Sequence, residues 1–299
     1  MVDFFTPQQQ KAIFYAPKLP SLVSILCSLL LIYVLIRDER HEKVYGRLWL
    51  GIAGCNLFVA LMAGIVSSIT SPEGVYYGAS GTLATCEASA SFFHFVYVAV
   101  MVYNGALGGY YYLSVHWNLT ERFVATRIEP FFHALAVIWP IVGIVVGNVK
   151  KYYYANPIFQ VCWAAPRPFG CGLDPTLDCT DGDEHRPLYI FGSGLIATNM
   201  GTSVKMIGVS LVVYKIYVQQ RLVRSRYETN MASNPRNLLL VETMIQAVSF
   251  VMACFIPYAG TIVLRLIDMF WRGPGAGEGA PVGLFVFSII AHILFPIQG

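Results

Sequence analysis

Seven apolar stretches punctuate the chain, at about 19–36, 48–69, 88–115, 130–149, 189–218, 238–264 and 282–298. Each is long enough, at about 1.5 Å per residue, to cross a ~30 Å hydrocarbon core as a helix whose backbone hydrogen bonds are satisfied internally. The third, fifth and sixth exceed what a crossing needs, so they are expected to tilt or to project beyond the bilayer. The pattern predicts an all-α fold, a seven-transmembrane-helix bundle over 19–299 preceded by a short segment, 1–18. A long loop at about 150–188 joins spans four and five, and a shorter one at about 219–237 joins spans five and six. The first residues are polar and aromatic rather than basic then apolar, so no cleaved signal peptide is expected and the first span is the targeting signal. With 56% hydrophobic and 12% charged residues among 299, the composition is that of an integral membrane protein. A net charge of +3 without a run of basic residues interleaved with exposed aromatics argues against nucleic acid as a partner.

Lys and Arg are distributed unevenly between the two sets of loops. Arg37, Arg40, Lys43 and Arg47 follow span one, Arg122 and Arg127 follow span three, and Lys215, Arg221, Arg224, Arg226 and Arg236 lie around the loop after span five. The segment 67–85 has none. The positive-inside rule then places the amino terminus outside and the carboxyl end of the seventh span in the cytoplasm. Cysteine placement agrees: Cys86, Cys162, Cys171 and Cys179 fall on the outer side, where disulfides persist, while Cys27, Cys55 and Cys254 lie within spans. Four outer cysteines allow three pairings. The favoured one joins Cys86 to Cys162, closing a large loop, and Cys171 to Cys179, closing a small one. Such staples pin the long loop as a lid over any cavity between the helices; alternatively they only stabilise that loop.

The stretch Gly109-Tyr110-Tyr111-Tyr112-Leu113-Ser114-Val115, then Trp117, Thr120-Glu121-Arg122, Ile128-Glu129-Pro130 and His133, resembles the third-helix exit and second inner loop of protist G-protein-coupled receptors. These are similar to the slime-mould cyclic-AMP receptors and the wider glucose- and secretin-receptor-like set. Cys162-Trp163 in the long outer loop and Phe295-Pro296-Ile297-Gln298-Gly299 in the last span resemble further motifs of that group. The resemblance implies a receptor that passes the signal of an extracellular small-molecule ligand to a heterotrimeric G protein by rearranging helices five and six. The G-protein side would comprise Tyr112, His116, Arg122, Arg127, Arg221, Arg224 and Arg226, a basic rim that also suits anionic lipid. The sequence departs from rhodopsin-like receptors in lacking the acidic-arginine pair at the end of helix three, where Tyr111, Tyr112 and His116 stand. It also stops at Gly299, where that family's last helix continues into a tail, so the chain is expected to be truncated.

Residues within the spans supply candidate chemistry. Pro257, in Cys254-Phe255-Ile256-Pro257, removes a helical hydrogen bond and can hinge helix six. Lys205, deep in helix five, must face the interior, snorkel, or meet a partner such as Glu242 or Gln246 near the inner end of helix six; that contact would be a switch. Asn56 and Asn104 are expected as interhelical hydrogen-bond donors and acceptors, and Gly105, Gly108 and Gly109 make helix three thin. A ligand cavity is expected from Phe93 and Tyr97 on helix three, Asn199 on helix five, and Phe255, Tyr258 and Thr261 on helix six. Asp174, Asp178, Asp181, Asp183 and Glu184 give its mouth a negative field. His94, His133 and His292 share no metal-like spacing, and no nucleophile or paired carboxylates form a plausible catalytic set, so neither metal, cofactor nor enzymatic activity is expected. A transporter or scaffold is the alternative; a photoreceptor is disfavoured because the last span carries no lysine for a retinal Schiff base.

Overall fold

The computed structural model describes residues 6–157, 160–165, 167, 171, 189–196, 200–201, 203–208, 210–211, 214–215, 217–218 and 290. Among the described residues, four helical stretches are long and apolar enough to cross a membrane, Pro7–Arg37, Val44–Thr70, Leu83–Ser114 and Glu121–Val149. They coincide with the first four predicted spans, and spans six and seven lie almost wholly outside the described residues.

The leading segment is helical. In α1 (Pro7–Tyr15), Thr6 and Gln9 form a reciprocal capping box and Pro7 takes the first helical position, where its missing N–H costs nothing. The chain turns into α2 (Lys18–Arg37), which buries only Ser21, Ser28 and Leu35 and leaves Leu19, Leu22, Leu26 and Leu30 exposed. Such a face belongs against lipid. The second span is α3 (Val44–Leu61), a single π-helical turn (Met62–Val66), and α4 (Ser67–Thr70).

Helix α5 (Leu83–His116) is capped by a box between Thr82 and Thr85. Its 34 residues extend about 51 Å, longer than a ~30 Å crossing needs. It packs against α3 and against α7 (Glu129–Val149), which follows the short helix α6 (Glu121–Phe123) and a π turn (Val124–Ile128). Pro140 is buried within α7 without interrupting it. The long loop opens with an antiparallel hairpin, β1 (Tyr153–Asn156) and β2 (Val161–Ala164), in register Tyr153↔Ala164 and Ala155↔Cys162. The core runs along α5 through Phe93, Val98 and Leu107, met by Leu48 and Ile52 from α3 and Ala136 from α7.

The fifth span meets α5 along a seam of glycines. A methyl added at Gly105 would lie 3.0 Å from the Gly201 Cα. One added at Gly108 would overlap the Lys205 backbone, and one at Gly208 would overlap the Gly108 carbonyl. Gly109 faces elsewhere, toward Phe132 of α7. Without a hydrophobic driving force between helices in lipid, this backbone approach supplies the packing that joins them. Gly108→Ala should therefore cost about 2 kcal/mol through overpacking and lower the melting temperature in detergent. Gly54→Ala, whose methyl meets nothing within 4 Å, should not lower it.

Candidate functional site

At one end of the bundle the hairpin is fastened down. Cys86, in the first turn of α5, is bonded to Cys162 of β2 with Cα atoms 5.4 Å apart, the first of the favoured pairings. Cys171 is also disulfide-bonded, and Cys179 lies outside the described residues. Trp163, next to Cys162, packs onto α5: its ring meets Phe93 and Tyr97 edge-on at 5.4 and 5.7 Å and stacks on His94 at 5.2 Å. The two aromatics expected to line a ligand cavity are thus buried beneath this tryptophan.

Hydrogen bonds reinforce the lid. The Tyr76 hydroxyl lies 2.6 Å from Ser71 Oγ, 2.9 Å from the Gln160 carbonyl and 3.1 Å from the Ser67 carbonyl. It ties α4 to the hairpin turn, and Ser71 Oγ also lies 3.2 Å from Cys162 Sγ. Burial pushes the Tyr76 phenol pKa up, against a smaller lowering by Ser71. Tyr153 of β1 pairs with the Tyr189 hydroxyl at 2.8 Å, and Tyr189 donates to the Gly143 carbonyl of α7 at 3.1 Å. The Tyr153 phenol is raised by burial, then by Tyr189, so both loop phenols stay neutral.

In the middle of the bundle, Lys205 is buried and its Nζ donates to Asn104 Oδ1 at 2.6 Å. Asn104 Nδ2 in turn donates to the Val100 carbonyl of its own helix. The predicted interhelical role of Asn104 is met, and Lys205 reaches sideways to α5. Asn56 is buried on α3. Glu242, Gln246 and Pro257 lie outside the described residues, as do Asn199, Phe255, Tyr258 and Thr261.

The end opposite the disulfide is joined by carboxylates. Arg47 grips Glu129 with Nε to Oε1 and Nη2 to Oε2, both 2.6 Å, while its Nη1 donates to the Glu42 carbonyl. Glu129 is almost fully buried, and such fork-on-fork pairs are strong and geometrically specific. His133 Nε2 lies 3.4 Å from Glu129, and its Nδ1 is 3.0 Å from the Tyr103 hydroxyl on α5. Glu121 accepts from the Val44 amide at 3.2 Å, capping α3 from across the bundle. Sequence reasoning picked Arg47 only as a topological charge and Glu129 only as part of a motif. Of the residues expected to face a G protein, Tyr112 and His116 stack on each other at 5.2 Å at this end. Arg122 and Arg127 are exposed there, and Arg221, Arg224 and Arg226 lie outside the described residues. Lys215 reaches the Asn118 side chain at 3.4 Å, linking the fifth span to the turn after α5. Among the described residues no three His, Cys, Asp or Glu converge as a metal site.

No family model matches the chain, and neither does any curated protein. Among solved structures it is similar to squid rhodopsin, with a TM-score of 0.59 over 95% of this chain and 76% of that one, at 9% identity. At that identity the likeness establishes the fold alone: a helical bundle like that of rhodopsin, in which four helices among the described residues are long and apolar enough to span a membrane. The ion pair generates the test for this end of the bundle. Glu129→Gln should destabilise by roughly 1–2 kcal/mol, because it removes the charged half of the fork from an Arg47 side chain that is itself 36% exposed and can recover part of its hydration. Thermal unfolding in detergent measures the loss, and an unchanged melting temperature would contradict it.

Proposed function

We propose that this protein is a plasma-membrane receptor that converts binding of an extracellular small molecule into a cleft for a heterotrimeric G protein, without catalysing a reaction. The observation that carries the proposal is the Cys86–Cys162 staple, which holds a β-hairpin over the end of α5 in a rhodopsin-like bundle. A lid fixed in this way preorganises whatever cavity the helices enclose. The disulfide end is the extracellular one, as cysteine oxidation and the charge of the loops both favour. Ligand enters beneath the hairpin, beside Phe93 and Tyr97, with Asn199, Phe255, Tyr258 and Thr261 completing the cavity.

At the cytoplasmic end, the transducer meets Tyr112, His116, Arg122 and Arg127, together with Arg221, Arg224 and Arg226. Helix six pivots about Pro257, shifting a two-state equilibrium toward an open inner face. Contact between Lys205 and Glu242 or Gln246 holds the closed state. The resemblance to cyclic-AMP-receptor-like proteins adds a candidate ligand class, cyclic nucleotides, to a ligand screen.

The test is a screen on the full chain in cells with a proximity readout for G-protein recruitment. At least one ligand should produce recruitment that Pro257→Ala reduces while surface expression is kept. If expression collapses instead, Pro257 is structural only. Added retinal should give no light-dependent recruitment; if it does, the photoreceptor alternative replaces the small-molecule one.

A further inference from the structure

A narrow cleft lies at the disulfide end. Phe14 of α1, Pro17 and Lys18 at the start of α2, Ala63, Gly64, Ser67 and Ser68 of the second span, Tyr76 and Gln160 line it. Gln160 occupies the hairpin turn and is 5% exposed. Its Nε2 donates to the Gln10 carbonyl at 3.3 Å. A carbonyl can only accept, so the amide nitrogen must face it and Oε1 is turned away. That oxygen is buried and has no hydrogen-bond partner. Ser21 Oγ, also buried and without a hydrogen-bond partner, packs against Gly64, one of the lining residues. An amide oxygen only accepts, so Gln160 Oε1 calls for a donor.

The enclosed part of the cleft is close to the size of one water, which is also the size of a terminal ammonium or hydroxyl. Lys18, poised 3.7 Å over the Phe14 ring, brings a cation to the mouth. It is the first residue of a 20-residue helix that spans about 30 Å, which sets it at head-group depth. Below the mouth run two apolar walls, exposed Leu19, Leu22 and Leu26 on α2 and Ile65 on the second span. We infer that this cleft binds a phospholipid of the adjacent leaflet whose head group ends in a hydrogen-bond donor: Lys18 takes the phosphate, Gln160 Oε1 takes the terminal ammonium, and the acyl chains lie along the two walls. Choline, which has no N–H or O–H, cannot satisfy Gln160. The site stands apart from the signalling proposal, since it needs no agonist and no G protein.

The test places the full chain in nanodiscs of equal dioleoylphosphatidylethanolamine and dioleoylphosphatidylcholine and reads retained lipid by native mass spectrometry. One ethanolamine lipid should stay bound in roughly tenfold preference over choline lipid, the effect of one hydrogen bond to a charged group. Gln160→Leu should abolish that preference, with recovery of the Cys86–Cys162 peptide as the check on folding. Ser68→Leu, which narrows the cleft without touching the Gln160–Gln10 bond, should reduce retention of both lipids, and Lys43→Gln at the opposite end should change nothing. Equal retention of the two lipids by the wild type overturns the proposal, as does unchanged retention in both cleft variants. Displacement of the lipid by millimolar phosphoethanolamine would also overturn it, by assigning the cleft to a soluble amine phosphate.

Discussion

A polar group carried into hydrocarbon must find its partner within the protein, and in this chain the partner is repeatedly α5 or a residue touching it. Lys205 of the fifth span is met by Asn104, and His133 of α7 by Tyr103. Asn148, at the other end of α7, donates to Ser91. Buried Glu129 is not on α5, but it is bonded to Arg47 and lies beside the histidine that α5 holds. These contacts make one helix the common post to which its neighbours are fastened, and the glycine seam lets the fifth span approach closely enough for the Lys205 contact to form.

The arrangement has a mechanical consequence. Tyr103 and Asn104 are adjacent in sequence, about 100° apart around the helix, so they grip different neighbours: α7 through His133 and the fifth span through Lys205. Rotation of α5 that preserves one contact strains the other. The first turn of the same rod carries the disulfide to the hairpin, and its last turns carry Tyr112 and His116. The lid contact and the Tyr112–His116 stack thus sit on one helix that is anchored to two neighbours between them.

Much of this was legible in the sequence. The first four spans are hydropathy features, since helix in lipid is dictated by length and apolarity, and the extra length of the third was visible in the same way. Cys86 and Cys162 stood out because the charge asymmetry of the loops put both on one side. The glycines of α5 announced a close neighbour. The α1 helix was missed although Thr6 and Gln9 carry the capping signature, because nine residues with little apolar periodicity give hydropathy nothing to detect. The hairpin was missed because a disulfide and a tyrosine network hold it, not alternation of polar and apolar residues. The Arg47–Glu129 pair joins residues 82 apart, and nothing local marks either as the other's partner. Gln160 was invisible for a related reason: its significance lies in an oxygen without a donor, which only three-dimensional placement reveals.

The central claim is that α5 stands in the membrane with its Cys86 end outside and its His116 end inside. Asn118, Leu119 and Thr120, just past that helix, spell a glycosylation sequon, so the chain carries its own reporter. The direct measurement is glycosidase-sensitive mobility in a eukaryotic host, combined with antibody access to epitopes placed before Met1 and after Gly299. The account predicts no glycan on Asn118, the first epitope readable on intact cells, and the second readable only after permeabilisation. A glycan on Asn118, or both epitopes on one side, would contradict it.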